Sequence, residues 1–237
     1  IFGELLTRGI SWRTLFIGLA IAVLLISFLY PSGNKISLPK SRTDFSHMGE
    51  ILSKPRFWFL GFALFFSGGA EGGFAYWSAS YIQLQYNTAP RAGGLGAALF
   101  ALGMVVGRLL SSHLAHKVGL KKILLSSAAF SLLISLTFFA IEGLPSLFVF
   151  MFFIGIGIAS LWPSIQSYGG AVMHVDVTVL MIFLSCFVIP GYSTAKLLMG
   201  IIGVKAGLHM IFIVSHIYLS AIVILHLFES RFAEKKN

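Results

Sequence analysis

Long apolar stretches of this 237-residue sequence contain the ionisable side chains Glu71, Arg108 and Lys196. A charged side chain in a membrane span costs about 2.5 to 3.5 kcal/mol on insertion scales, so it usually faces a cavity or a partner. Burial favours the neutral form of a carboxyl group, which allows such a group to exchange a proton near neutral pH. We therefore expect Glu71 to line a cavity and to bind substrate hydroxyls or carry a proton. The alternative role is a structural partner for Lys196 or for helix ends.

Aromatic and amide side chains recur at helical spacing in the same apolar stretches. Trp77 and Tyr81 are four residues apart, as are Trp162 and Gln166, so the members of each pair would share a helix face. Aromatic rings beside amide or carboxyl groups suit a sugar, which stacks its C–H face on a ring and hydrogen-bonds through its hydroxyls. The alternatives are an aromatic belt at the membrane interface and ordinary helix packing.

The composition places these residues in a lipid bilayer. Hydrophobic residues make up 57% of the chain and charged residues only 11%, whereas soluble domains carry about 25% charged residues. The mean hydropathy is +0.90. The net charge of +9 does not indicate a nucleic-acid partner, because the 17 Lys and Arg residues are spread between apolar segments.

Seven segments are long enough to span a hydrocarbon core about 30 Å thick, which requires about 20 apolar residues in a helix. They are Trp12 to Tyr30, Phe57 to Ile82, Ala92 to Leu114, Ile123 to Ile141, Pro145 to Ile165, Val177 to Gly200 and Leu208 to Phe228. Lipid offers the backbone no hydrogen bonds, so each span is expected to be a helix. The sequence therefore predicts an all-α integral membrane protein.

Basic residues predict the orientation of these spans. The segments that would lie on one side hold 11 Lys and Arg, and those on the other side hold four: Arg8, Arg13, Arg91 and Lys205. Because the side richer in Lys and Arg is cytoplasmic, the C-terminus is expected in the cytoplasm of a multi-pass protein of the plasma or inner membrane.

One long connection divides the chain. We expect a single helix in residues 1–30, a cytoplasmic loop over 31–56, a six-helix bundle over 57–228 and a cytoplasmic tail over 229–237. Within the loop, Asp44 or Ser46 could cap a short surface helix in which Met48, Ile51 and Leu52 share a face. An ordinary solvated linker is the other interpretation.

The six later spans repeat. A shift of 87 residues matches Phe65, Phe66, Gly68, Ser80 and Tyr81 with Phe152, Phe153, Gly155, Ser167 and Tyr168. A shift of 88 matches Lys117, Gly119, Leu120 and Ile123 with Lys205, Gly207, Leu208 and Ile211. Each copy contains three spans, an odd number, so the copies enter the membrane from opposite sides. This 3+3 inverted repeat is typical of transporters.

The stretch from Gly107 to Lys122 resembles the cytoplasmic signature loop of the major facilitator superfamily. That loop has a glycine, three residues, an aspartate, a basic residue, any residue, a glycine and further basic residues. Four residues match it: Lys117, Gly119, Lys121 and Lys122. Ser112 and His116 replace the first glycine and the aspartate, so the charge relay of that loop is not expected in this half.

Two further segments carry the resemblance. Gly9 to Phe16 is similar to the opening of the sixth helix of these carriers. The spans that contain Glu71 and Pro190 resemble helices seven and eleven of fucose-permease-like sugar:proton symporters. The resemblance implies a twelve-helix protein, of which this chain is the C-terminal six-helix bundle preceded by the last helix of the N-terminal bundle. The remaining N-terminal helices would be its partner.

Depth along the predicted helices suggests how the ionisable groups pair. At 1.5 Å per residue, Glu71 lies about 21 Å from the cytoplasmic edge, Arg108 about 9 Å and Lys196 about 28 Å. The difference of about 12 Å argues against a pair between Glu71 and Arg108, whereas Lys196 could meet Glu71. Arg108 is therefore expected to be structural, through an ion pair with Asp176 or by extending to the interface.

These observations favour secondary active transport of a small polar solute, a sugar or similar, by alternating access with protons as the coupling ion and no other cofactor. A drug or metabolite efflux antiporter is the alternative. A channel would need a filter-like loop or charged rings, and an enzyme would need a motif such as HExxH or GxSxG, which the sequence lacks. A membrane scaffold remains a further possibility for an isolated half.

Overall fold

The computed structural model describes residues 2–29 and 48–234, and every regular element within these ranges is a helix. The first three helices are short: α1 (Phe2–Thr7), α2 (Trp12–Phe28) and α3 (Met48–Ser53). The next three are α4 (Pro55–Gln85), α5 (Pro90–Val118) and α6 (Leu120–Leu136). The last five are α7 (Leu144–Ile158), α8 (Leu161–Met173), α9 (Val177–Ser185), α10 (Val188–Ala206) and α11 (Ile213–Glu234). The all-α prediction is confirmed.

Five helical segments of the described chain are long and apolar enough to cross a membrane. They are Pro90–Val118, Leu120–Ala140, Leu144–Met173, Val177–Ala206 and Leu208–Phe228. Helix α4, with 31 residues, is also long enough, but Glu71 and several glycines make it less apolar. Helix α2 is apolar but has only 17 residues. These segments correspond in order to the seven predicted spans.

The predicted loop lies mostly outside the described residues, and so do its proposed caps, Asp44 and Ser46. Its last part forms the expected short helix, α3. Ile51 is buried, while Met48 is exposed, so only part of the predicted apolar face packs against the bundle. Pro55 then begins α4, as expected for proline in a first helical turn.

Proline interrupts two of the spans. The break between α7 and α8 lies at Ala159 and Ser160, and Ala159 is four residues before Pro163. The break between α9 and α10 begins at Cys186, four residues before Pro190. Proline has no N–H for the carbonyl four residues earlier, and its ring clashes with that carbonyl. Each span is therefore two helices in series.

Two interhelical contacts reproduce the repeat seen in the sequence. A Cβ atom added to Gly103 would lie 2.1 Å from the carbonyl oxygen of Phe152, where α5 packs against α7. A Cβ atom added to Gly191 would lie 1.9 Å from the carbonyl oxygen of Phe65, where α10 packs against α4. Gly103 and Gly191 are 88 residues apart, and Phe65 and Phe152 are 87 apart. The two interfaces are therefore equivalent under the repeat.

A second pair of contacts and a pair of turns obey the same relation. A Cβ atom added to Gly155 would lie 2.3 Å from the carbonyl oxygen of Phe100. A Cβ atom added to Gly68 would lie 2.9 Å from the carbonyl oxygen of Val188. The turns contain Gly119 at φ +90° and Gly207 at φ +94°, a region that only glycine adopts without strain. Gly119 thus reverses the chain between α5 and α6, as the signature loop requires.

His216 links α11 to α6 through hydrogen bonds. Its buried ring contacts the Phe212 oxygen through Nδ1 at 2.6 Å and the Ser135 oxygen through Nε2. Because a lost buried hydrogen bond costs about 1 to 3 kcal/mol, His216→Ala should lower the melting temperature of the intact protein by several degrees, about 2 to 4 °C per kcal/mol. His113→Ala, at an exposed position on α5, is the control and should leave the melting temperature unchanged. Equal melting curves for both variants would contradict this role.

Candidate functional site

Glu71 and Arg108 form an ion pair between α4 and α5. Arg108 Nη2 lies 3.9 Å from Glu71 Oε1, and the Glu71 side chain is only 19% exposed, against 55% for Arg108. The expectation that these residues lie too far apart in depth is therefore wrong. Glu71 follows the start of α4 by 16 residues, about 24 Å, and Arg108 precedes the end of α5 by 10 residues, about 15 Å. The long arginine side chain spans the remaining difference of about 9 Å.

Arg108 makes a second contact at the break between α7 and α8. Its Nε donates to the carbonyl oxygen of Ala159 at 3.5 Å. This is the carbonyl that would bond to residue 163 in an uninterrupted helix, and Pro163 cannot donate to it. Arg108 therefore connects α4, α5 and the discontinuous span.

Asp176 has a different role from the one predicted. Its Oδ1 accepts a hydrogen bond from the backbone N–H of Val179 at 3.0 Å and so caps the N-terminus of α9. The prediction of an ion pair between Asp176 and Arg108 is wrong. Arg108 extends toward Glu71, and Asp176 caps the N-terminus of its own helix, α9. Aspartate is a common N-cap, since its oxygen satisfies a backbone donor that the helix leaves free.

Lys196 lies against aromatic rings rather than a carboxylate. Its Nζ is 4.2 Å from the centre of the Tyr192 ring and 4.8 Å from that of Tyr76. The expected contact with Glu71 is not formed. Tyr192 is a residue that the sequence analysis missed, although it precedes Lys196 by four residues and so shares its helix face. A Cβ added to Gly72 would lie 2.2 Å from its ring, so Tyr192 packs directly on α4.

An open groove of about 660 Å³ runs between α4 and α10, and we call it the Lys196 groove. It is lined by Tyr76, Trp77, Ser193, Lys196, Leu197, Gly200, Ile201, Val204 and Lys205. The indole N–H of Trp77 donates to the carbonyl oxygen of Lys196 at 3.3 Å, which fixes one wall of the groove. Trp77 and Lys196 were both predicted as site residues, and the fold brings them together.

The other selected residues lie elsewhere. Tyr81 is 5% exposed and packs among the core rings of Phe138 and Phe212, so it does not share a cavity face with Trp77. Trp162 is half-buried, and Gln166 donates to Ser185 Oγ at 2.9 Å, which joins α8 to α9. Lys117, Lys121 and Lys122 of the signature loop are exposed, around the turn at Gly119.

A second groove, of about 330 Å³, lies beside Arg108 and is rich in hydroxyl groups. It is lined by Arg108, Ser111, Ser112, Ala115, His116, Leu120, Pro163, Ser164 and Ser167. His116, at the acidic position of the signature loop, is thus part of this groove. The polar side chains of α5 and α8 continue from the ion pair toward the end of α5 that precedes the loop.

Discontinuous spans, an inverted repeat and ionisable residues on open helix faces together define a membrane transporter bundle. The family model of the Major Facilitator Superfamily matches residues 1–174, and the chain belongs to that superfamily. It is also 28% identical over 150 residues to an uncharacterized MFS-type transporter of Yersinia pestis. That alignment covers 62% of this chain and 38% of the relative, so the match extends over less than half the length of the relative.

The family membership confirms several expectations. The chain is an integral, multi-pass membrane protein, and it belongs to a family of transporters rather than enzymes. The predicted resemblance to the major facilitator superfamily is likewise confirmed.

Proposed function

We propose that this chain forms the C-terminal half of a secondary active transporter that moves a small polar solute together with protons. An N-terminal bundle would close the other side of the cavity, and the C-terminus would lie in the cytoplasm. The observation that carries the proposal is the pair between Glu71 and Arg108 beside the α7–α8 break. It places an exchangeable charge where three elements of the bundle meet.

The pair suggests how a proton could act on the conformation. A proton on Glu71 removes the negative charge that attracts Arg108 across the α4–α5 interface. Arg108 then retains its contact with Ala159, so protonation weakens the attachment of α4 to α5 and to the discontinuous span. A ligand shifts a conformational equilibrium only when it binds one state more tightly than the other. Glu71 would bind a proton more tightly in a state where Arg108 is separated from it than in the paired state.

The lining of the Lys196 groove suits a polar solute that contains a ring. Tyr76 and Trp77 offer aromatic faces, and Ser193 and Lys196 offer polar groups. A sugar or a similar molecule, as in the fucose-permease-like symporters, would use both. The efflux antiporter is the second candidate, because Leu197 and Ile201 add apolar surface that suits a drug.

The decisive experiment measures uptake by the intact transporter in proteoliposomes with and without an inward proton gradient. Labelled hexoses, deoxyhexoses and cationic dyes would be compared. We expect solute accumulation to follow the gradient, and Glu71→Gln to reduce gradient-driven accumulation by about tenfold under a gradient of about one pH unit, because one coupled proton supplies about 1.4 kcal/mol across such a gradient. Glu142→Gln, at an exposed position before α7, is the matched control and should behave like the unmodified protein.

Two results would contradict the proposal. Unchanged uptake with unchanged pH dependence in Glu71→Gln would exclude the proton role of this carboxylate. Extrusion of dyes without uptake of any hexose would discard the sugar and establish the efflux alternative.

A further inference from the structure

Arg108 and Lys196 are equivalent positions of the inverted repeat. They are 88 residues apart, the same shift that relates Gly103 to Gly191 and Gly119 to Gly207. Both side chains are cations within a predicted span, on α5 and α10 respectively. The repeat therefore places two basic residues at related points of the bundle.

Among the residues that the structure describes, Arg108 has a counter-ion and Lys196 has none. Arg108 pairs with Glu71, but the residue related to Glu71 by the shift of 87 is Ile158, which has no charge. Within the described part of the chain, no carboxylate forms an ion pair with Lys196, and its Nζ lies 4.2 Å from the ring centre of Tyr192 and 4.8 Å from that of Tyr76. The Glu71–Arg108 pair is neutral, so these three residues carry a net charge of +1.

The groove around Lys196 can accept the missing anion. Lys196 lines a volume of about 660 Å³ together with Ser193, and aromatic rings form the adjacent wall. Cation–π contacts stabilise an ammonium group, yet they leave its positive charge in place. Ionisable residues within membrane spans usually face a cavity or a partner, and they commonly mark substrate or ion pathways.

We propose that Lys196 binds the carboxylate of a small organic anion, whose body lies against Tyr76 and Trp77 in the Lys196 groove. This inference rests on the proposed transport function and narrows its polar solute to a carboxylate-bearing one, such as a sugar acid or an aromatic acid. The carboxylate would supply the charge that Glu71 supplies to Arg108 in the other repeat.

The test is isothermal titration of the intact protein in nanodiscs with two matched pairs of probes. Glucuronate is compared with glucose and benzoate with benzamide, because the members of each pair differ mainly by the negative charge. We expect at least one anion to bind more tightly than its neutral partner. Lys196→Gln should weaken that binding by at least roughly tenfold, as truncation of one charged partner does, whereas Lys196→Arg should retain it.

Two further variants keep the result interpretable. Leu197→Trp fills the groove at an exposed position without altering Lys196, and it should also weaken the anion. Lys54→Gln removes a partly exposed cation that lies outside the groove and pairs with Glu50, and it should bind like the unmodified protein. Binding of neither anion, equal binding of anion and neutral probe, or an anion affinity unaffected by Lys196→Gln would each overturn the inference. If the inference fails, proton-driven transport of neutral hexoses would still support the proposed function. If the proposed function itself fails, no solute would show proton-driven uptake.

Discussion

Gly191→Ala is expected to lower the melting temperature of the intact protein by about 5 °C or more and to reduce the yield of folded protein. The added Cβ would lie 1.9 Å from the Phe65 carbonyl oxygen, which belongs to the backbone of α4 and cannot rotate away. Helices α4 and α10 must therefore separate, and overpacking of this kind costs about 1 to 3 kcal/mol or more. Thermal unfolding in detergent, followed by size-exclusion chromatography, measures the effect.

The repeat supplies a second variant and the helix supplies a control. Gly103→Ala creates the equivalent clash with the Phe152 oxygen between α5 and α7, so its effect should be similar. Gly200→Ala, also on α10, would meet nothing closer than a Trp77 ring atom at 3.5 Å, and it should melt at or slightly above the temperature of the unmodified protein, because alanine favours a helix over glycine. If Gly191→Ala and Gly200→Ala melt at the same temperature, close approach at Gly191 is not required for the fold.

Arg108→Gln is expected to abolish most transport at neutral pH and to destabilise the protein. Glu71 would then lie largely buried in a span without its counter-ion, and an uncompensated buried charge is costly. Transport should recover partly as the pH falls, because a proton neutralises the carboxylate that Arg108 no longer pairs with. Melting curves and uptake at several pH values measure both effects.

The double variant Glu71→Gln with Arg108→Gln distinguishes the effect of the ion pair from the effects of the two individual side chains. It removes both charges and so should fold more stably than Arg108→Gln alone, although proton-driven accumulation would remain low. Residues that form an ion pair show non-additive effects in such a double-mutant cycle. Additive losses in melting temperature would mean that the 3.9 Å contact between Glu71 and Arg108 contributes nothing to stability.

The sequence predicted the architecture well because membrane spans follow from local composition. Each predicted span corresponds to one or two observed helices, and the shifts of 87 and 88 residues recur as equivalent contacts at Gly103 and Gly191. Lipid excludes unpaired backbone groups, so a long apolar segment has few alternatives to a helix. The signature loop was likewise predictable, because the turn at Gly119 requires a positive φ.

The pairing of side chains was decided by the tertiary structure. The residue types predicted Glu71, Arg108, Trp77 and Lys196 as site residues. Their spacing, however, suggested Asp176 as the partner of Arg108 and Lys196 as the partner of Glu71. When a helix begins or ends a few residues from its predicted bound, the depth of its side chains in the membrane changes by several ångströms. The proline break also leaves the Ala159 carbonyl free to accept a hydrogen bond from Arg108, which residue spacing does not reveal.

Residue type and periodicity therefore determined which groups lie in the membrane and on which helices. The helix packing alone decided that Tyr81 is buried in the core, that Tyr192 covers Gly72 and that Lys196 lines a groove. The physical reason is that partition into lipid depends on local composition, whereas ion pairs and grooves depend on the distances between helices that lie far apart in the chain.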